Sequence, residues 1–357
     1  MGEEIQQALQ GAIAEEEIVG AVALVTDQER ALSLETAGYF DLESETPMPG
    51  DALFCIASMT KPITAVAVLM MVDEGRVSLD DSLAKHLPEF GGLKDEAGRP
   101  IEVTLRQCLS HTSGMSDLSL EEENECKTLA DLIPRIVSKP VGFPPGAEWC
   151  YCQTSLNMAA HVVEVLSGLD FPRFLHERIF DPLDMVDTTF YPNAAQIARI
   201  ASIYGRVDGG GWEKAGHDWV THGRLESCDR YPKANAGLFS TAEDYAKFCR
   251  CLLRGGAGLI SAESCRELGS VQTGGLETGF TPGNGWGLGC AVIVNPQGVT
   301  RMFSPGSFGH GGLYGTQGWI DPVRERAYLL MVQRSDFENA DGSRVREVFQ
   351  EAAVQID

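Results

Sequence analysis

The stretch Ala52–Gly75, ALFCIASMTKPITAVAVLMMVDEG, decides how the chain is read. It opens on a short apolar run, Ala52–Ala57, passes through Ser58 and Lys61, and from Ile63 to Val72 becomes a continuous apolar helix pattern that stops at Glu74-Gly75. A helix this apolar has to be buried. Entered directly from an apolar run, it presents one residue at its N-terminus, as α/β enzymes do. Ser58 and Lys61 stand one turn apart and share a face. The positive end of the helix dipole stabilises a developing alkoxide and works against protonation of the lysine. Burial acts in the same direction, giving an amine that can accept the serine proton near neutral pH. The plain alternative is Ser58 as a helix cap with Lys61 snorkelling outward. The S-x-x-K spacing recurs at Ser82–Lys85, but there it follows Asp80-Asp81 in a polar segment, and Ser82 reads as the cap of a surface helix.

Working outward from this stretch, Ile18–Thr26 (IVGAVALVT) and Ala31–Gly38 read as two strands joined by a polar turn. Before them, Ile5, Leu9 and Ile13 recur every four residues, the mark of a surface helix docking one face. Downstream come short amphipathic helices at 104–109, 129–137, 155–167 and 241–253, separated by Pro- and Gly-rich loops, and the acidic run Glu121–Glu123 reads as solvated loop. Strand patterns return at 287–294, 315–320 and 326–332, and an amphipathic helix at 343–353 closes the chain. Strands at both ends and helices between them predict an α/β (α+β) fold: one antiparallel sheet built from both termini and covered by helices, with a mostly helical inserted lobe. Residues 1–75 and 281–357 would form the sheet lobe and 76–280 the helical one. The site then belongs in the cleft between them.

Composition narrows the chemistry. The 28 Lys+Arg stand against 51 Asp+Glu, a net charge of −23, and no basic cluster is present. This argues against nucleic acid as a partner, because phosphate binding needs a dense basic surface. The acidic start MGEEIQQALQGAIAEEE lacks the basic n-region and apolar run of a secretory signal, and the longest apolar stretch is about half a membrane span. The expectation is a cytoplasmic protein with no membrane partner. The ten cysteines then read as scattered, mostly buried thiols. Cys150-x-Cys152 and Cys249-x-Cys251 lack zinc-knuckle spacing, so neither metal nor cofactor is expected.

No G-x-S-x-G, H-E-x-x-H, P-loop or dinucleotide-binding glycine motif occurs. What does occur is an ordered set: Ser58-Met59-Thr60-Lys61, then Pro145-Gly146-Ala147-Glu148-Trp149-Cys150-Tyr151-Cys152-Gln153, then His310-Gly311-Gly312 within GHGGLYGTQGWIDP. With Leu109–Gly114 (LSHTSG) and Gly237–Thr241 (GLFST), this set resembles the serine β-lactamase and penicillin-binding-protein superfamily, in particular its class C-like branch with family VIII esterases and D-aminopeptidases. The resemblance implies Ser58 as the acylated nucleophile, Lys61 as its proton acceptor and Tyr151 as a proton shuttle made more acidic by a cationic Lys61. It also implies an oxyanion hole from the backbone N–H groups of Ser58 and Leu313, and substrate contacts along Gln153, His310, Gly311 and Gly312.

Two residues depart from that pattern. Gln153 stands where the family has Asn, which displaces the amide expected to meet a substrate's acyl amide. His310 stands where β-lactamases have Lys, and a histidine is mostly neutral at pH 7, so a substrate carboxylate loses its fixed cation. The reading that follows is a serine hydrolase using small-molecule substrates, a carboxylesterase for short-acyl esters. A β-lactamase, D-aminopeptidase or DD-peptidase, an acyltransferase, and a noncatalytic scaffold remain the alternatives. The other histidines, among them His111, His217 and His222, read as structural or surface residues. The loops around 115–130 and 200–235 are expected to shape the pocket.

Overall fold

In the computed structural model, which describes residues 2–337 and 343–356, the two ends of the chain build one sheet. In chain order the strands are β1 (Gly20–Thr26), β2 (Ala31–Asp41), β3 (Thr46–Pro47), β4 (Phe54–Cys55), β5 (Ile203–Arg206), β6 (Trp212–Ala215), β7 (Phe239–Ser240), β8 (Asn284–Trp286), β9 (Ala291–Ile293), β10 (Phe308–Gly311), β11 (Gln317–Asp321) and β12 (Arg326–Val332). Eight of them form an antiparallel sheet in the order β3-β2-β1-β12-β11-β10-β9-β8. The joint between the two chain ends is β1 against β12, with Leu24 opposite Leu329.

Both faces of that joint are covered, which is why β1 reads as an unbroken apolar run instead of alternating. On one face Ala21, Ala23, Leu330 and Val332 pack with Ile5 and Leu9 of the first helix, Glu3–Ala14, and with Val345 and Phe349 of the last, Arg344–Ala353. On the other, Val22, Leu24, Leu329 and Met331 join the main core with the helices Thr60–Asp73 and Ala242–Leu253. The sheet-plus-helix architecture expected from the sequence is the one observed. The C-terminal part of the expected sheet lobe includes residues 338–342 and 357, which lie outside the described residues. No helix among the described residues is long and apolar enough to cross a membrane.

Two local readings are corrected. The run 287–294 is not one strand: β8 and β9 form a hairpin closed by Gly287 N–H donating to Cys290 O at 2.8 Å. Its Gly289 sits at φ +68°, and a Cβ there would come within 2.8 Å of Lys61 O, so this turn packs directly on the backbone of the helix that carries Lys61. The acidic run is not solvated loop either. Ser119 and Glu122 form a capping box for the helix Leu120–Asn124, and Glu123 is buried with its carboxylate 2.7 Å from Lys233 Nζ.

Candidate active site

Ser58 is delivered by a short 3-10 turn, Ala57–Met59, that runs into the helix Thr60–Asp73. Pro62 sits in the first turn of that helix, where a missing N–H costs no hydrogen bond. Ala57 is held at φ +42°, a backbone conformation that costs a residue with a Cβ about 1–3 kcal/mol. The flanking contacts keep it there: Ile56 N–H donates to Leu238 O at 3.0 Å, Met59 N–H to Ile56 O at 3.0 Å, and the Tyr245 hydroxyl to Met59 O at 3.1 Å. Ser58 does not cap the helix, since Met59 holds the cap position without a side-chain bond. Its Oγ instead lies 2.9 Å from Lys61 Nζ and 2.9 Å from Tyr151 Oη.

Lys61 does not snorkel. It is fully buried, and its Nζ lies 2.8 Å from both Gln153 Oε1 and the Asn235 carbonyl. Burial drives its pKa well below the ordinary lysine value, opposed by the charge of Asp117. A neutral amine in this position points its two N–H groups at Gln153 and Asn235 and its lone pair at the Ser58 hydroxyl.

The Tyr151 expectation needs correcting. Burial pushes the phenol pKa up rather than down, and Lys61, which was to supply the acidifying charge, is itself driven toward the neutral form. Tyr151 is therefore a protonated donor and acceptor, not a phenolate. Its ring is packed by His111 at 4.4 Å between centroids, Phe280 at 4.9 Å and Trp286 at 5.7 Å.

His310 lies on β10, with Nε2 3.3 Å from Tyr151 Oη and Nδ1 2.6 Å from Gly311 O. Burial and the neighbouring Lys61 lower its pKa to about 3, so it is neutral at pH 7, as its residue type suggested. β10 pairs with β9 only through Phe308 and Gly309, so His310 and Gly311 continue beyond that ladder. Gly312 is required by close approach: a Cβ there would come within 2.6 Å of Ile56 O and 2.1 Å of Thr316 Oγ1, which keeps the end of β10 tight against the Ser58 turn. Leu313 follows at the pocket margin.

These residues open onto one cavity of about 300 Å³, lined by Ser58, Tyr151, Gln153, His310, Gly311, Gly312 and Leu313. All the sequence-selected site residues except the buried Lys61 border it. Gln153 is used differently than expected, because its Oε1 accepts from Lys61 and, at 2.8 Å, from Asn235 Nδ2. The far wall is aromatic, with Trp219, Phe280, Trp286, Trp319 and Phe337, and it also holds Arg346, whose guanidinium stacks 5.0 Å from the Phe337 ring. Neither Arg346 nor Asn235 was found from sequence. Asn235 stands two residues before the GLFST segment, but its carbonyl contributes and a backbone acceptor leaves no residue signature. Ser82 caps its short helix Leu83–His86 as read. Of the ten free cysteines, eight are buried and Cys150 and Cys228 are exposed. No group of three or more His, Cys, Asp or Glu side chains that could hold a metal ion occurs among the described residues.

The sequence profile of the Beta-lactamase family matches residues 5–353. Esterase EstB of Burkholderia gladioli is 29% identical over 362 residues, covering 93% of this chain and 90% of the esterase. Among solved structures, EstCE1, described as a hydrolase with promiscuous acyltransferase activity, superposes with a TM-score of 0.87 at 22% identity, over 99% of this chain and 98% of its own. Unliganded simvastatin synthase (LovD) of Aspergillus terreus gives 0.80 at 23% identity, over 98% and 97%. The family match over nearly the whole length and the shared architecture agree with the ordered motifs: this chain belongs to the Beta-lactamase family, within the serine β-lactamase and penicillin-binding-protein-like superfamily.

Proposed function

We propose that the protein is a serine hydrolase that acts through an acyl-enzyme on Ser58, and that its substrates are carboxylic esters with a short acyl group. The observation that carries this reading is Ser58 Oγ standing 2.9 Å from both Lys61 Nζ and Tyr151 Oη. Neutral Lys61 takes the Ser58 proton while Oγ forms its bond to the acyl carbon. The backbone N–H groups of Ser58 and Leu313 receive the carbonyl oxygen as it becomes an oxyanion. Tyr151 hands its hydroxyl proton to the departing alkoxide and regains one from Lys61, so the ester C–O bond breaks with the alcohol leaving neutral. Water then attacks the acyl-enzyme, gives its proton back along the same route, and releases the acid and free Ser58.

Esters are favoured over carboxylate-bearing substrates because His310 is neutral where a fixed cation would be needed, and because a net charge of −23 repels anions. The similarity to an esterase supports the same choice. A second reading, hydrolysis of a β-lactam or peptide amide, draws support from one feature, the Arg346 cation in the pocket wall. Burst and steady-state hydrolysis of p-nitrophenyl butyrate beside a chromogenic cephalosporin, with wild type and Ser58→Ala, separates the two. Ester turnover that disappears in Ser58→Ala, with slow cephalosporin turnover, is the expected result. Faster cephalosporin hydrolysis gives the second reading, and activity unchanged by Ser58→Ala removes both.

A further inference from the structure

His111 belongs to none of the steps above, yet the segment carrying Tyr151 is tied to it on both sides. Its carbonyl accepts the N–H of Cys150 at 2.9 Å, and its Nδ1 accepts the N–H of Cys152 at 3.0 Å. Its ring lies against the Tyr151 ring, 4.4 Å between centroids and tilted by 36°. The residue is fully buried and adopts φ +60°, the left-handed conformation that aims its ring and its carbonyl at the same short stretch of chain. Because Nδ1 accepts a backbone N–H, the ring proton must sit on Nε2. Burial keeps the ring neutral, which preserves that acceptor.

Cys150–Cys152 is not part of a strand, and the helix Gln153–Ser167 begins only after Tyr151. Asp117 and Met115 hold the Cys152 thiol and the start of the helix, but the backbone N–H groups on either side of the tyrosine both go to His111. We infer that His111 is a positioning residue for the reaction: its carbonyl, its Nδ1 and its ring face together fix where the Tyr151 hydroxyl stands relative to Ser58. This rests on the part given to Tyr151 in the proposed function. It adds a residue that touches neither substrate nor Ser58 but sets the distance over which the proton moves. A displacement of about 1 Å at such a point can cost a factor of about 100 in rate.

The test is a double-mutant cycle read on kcat and KM for p-nitrophenyl butyrate, with His111→Leu, Tyr151→Phe and the pair together. His111→Leu is expected to lower kcat about 100-fold and to leave KM within about twofold, because His111 itself does not line the cavity. In the Tyr151→Phe background, where no phenol remains to be placed, the same change is expected to cost less than about threefold. His111→Asn should recover most of the loss, since Asn Oδ1 stands where Nδ1 did and Asn tolerates the left-handed backbone. His111→Gln, equally polar but with its oxygen one bond further out, should not.

An equal loss from His111→Leu with and without the phenol overturns the inference and leaves the hydrolase reading intact. So does equal activity of the Asn and Gln variants, a comparison that stands even where the Leu variant fails to fold. Wild-type kcat in Tyr151→Phe overturns the role of Tyr151 itself, and the inference with it.

Discussion

Two lysines are buried in this molecule, and they behave differently. Lys61 and Lys233 are 0% and 1% exposed, and burial lowers the pKa of each. Lys233 has the Glu123 carboxylate at 2.7 Å, the Trp219 carbonyl at 2.9 Å and the Trp219 ring at 4.7 Å, and the carboxylate opposes the effect of burial. Lys61 has only uncharged acceptors at bonding distance, Ser58 Oγ, Gln153 Oε1 and the Asn235 carbonyl, so no carboxylate in contact opposes its burial. The residue type and the burial are the same. What separates a charged strut from an amine pushed toward its neutral form is whether a carboxylate comes within bonding distance.

The strut has a position as well as a charge. Trp219 borders the cavity, so the Glu123–Lys233 pair braces one of its walls. The segment after Lys233 is also tied to the helix that follows Ser58, since Thr64 Oγ1 donates to Ala234 O at 2.6 Å and Lys61 to Asn235 O.

The comparison can be broken most sharply at Lys61. Lys61→Met should lower kcat/KM for the ester about 10²–10⁴-fold, the range for losing a general base. Lys61→Arg should be no better, because a guanidinium keeps its proton. Recovery of activity in the arginine variant would remove Lys61 as the base. The corresponding change at the strut, Lys233→Met, leaves the Glu123 carboxylate buried without its cation and should cost about 3–5 kcal/mol in urea unfolding. Replacing both, Glu123→Leu with Lys233→Met, should return most of that stability. A double variant as unstable as the single one would mean the pair is not what the wall needs.

Titration gives the next effect. Activity needs Lys61 neutral, so kcat/KM should fall as pH drops through its lowered pKa, placing the acid limb well below the ordinary lysine range. Asp117 is the carboxylate that favours the protonated form, so Asp117→Asn should move that limb to lower pH. A limb that stays in place would assign it to another group. At the strut, Glu123→Gln removes the charge that opposes burial, so Lys233 gives up its proton more readily when folded. The unfolded chain then holds an extra proton over a wider range below the ordinary lysine pKa, and the stability of this variant should rise with pH more steeply than that of the wild type. Urea midpoints at pH 7 and pH 9 measure this smallest effect.

What the sequence revealed and what it hid follow the same physical line. Ser58, Lys61, Tyr151 and His310 sit in short motifs whose order along the chain can be read, and the apolar runs at either end of the chain give the sheet away. Glu123 could not be distinguished from a solvated acid, because its partner lies 110 residues away in the chain. His111 read as structural because half of what it contributes is a carbonyl and the rest depends on a loop closing over it. Tyr151 stands beside Ser58, but its acidity is misread from sequence, since its pKa depends on burial that no local pattern reports. The hairpin β5–β6 and the acidic run's helix lie in the loop-rich stretches that offered no periodicity to read.

The register that sets Leu24 against Leu329 has a consequence in time. A ribosome delivers β1 and Ser58 long before β12, so the sheet cannot close until β12 has emerged. Contacts this distant in sequence form slowly and late in folding. His310 and the glycine that seats it against the Ser58 turn also emerge long after Ser58. The serine is thus made long before the strand that walls its cavity, and that cavity waits on pairings between stretches of chain that emerge far apart in time.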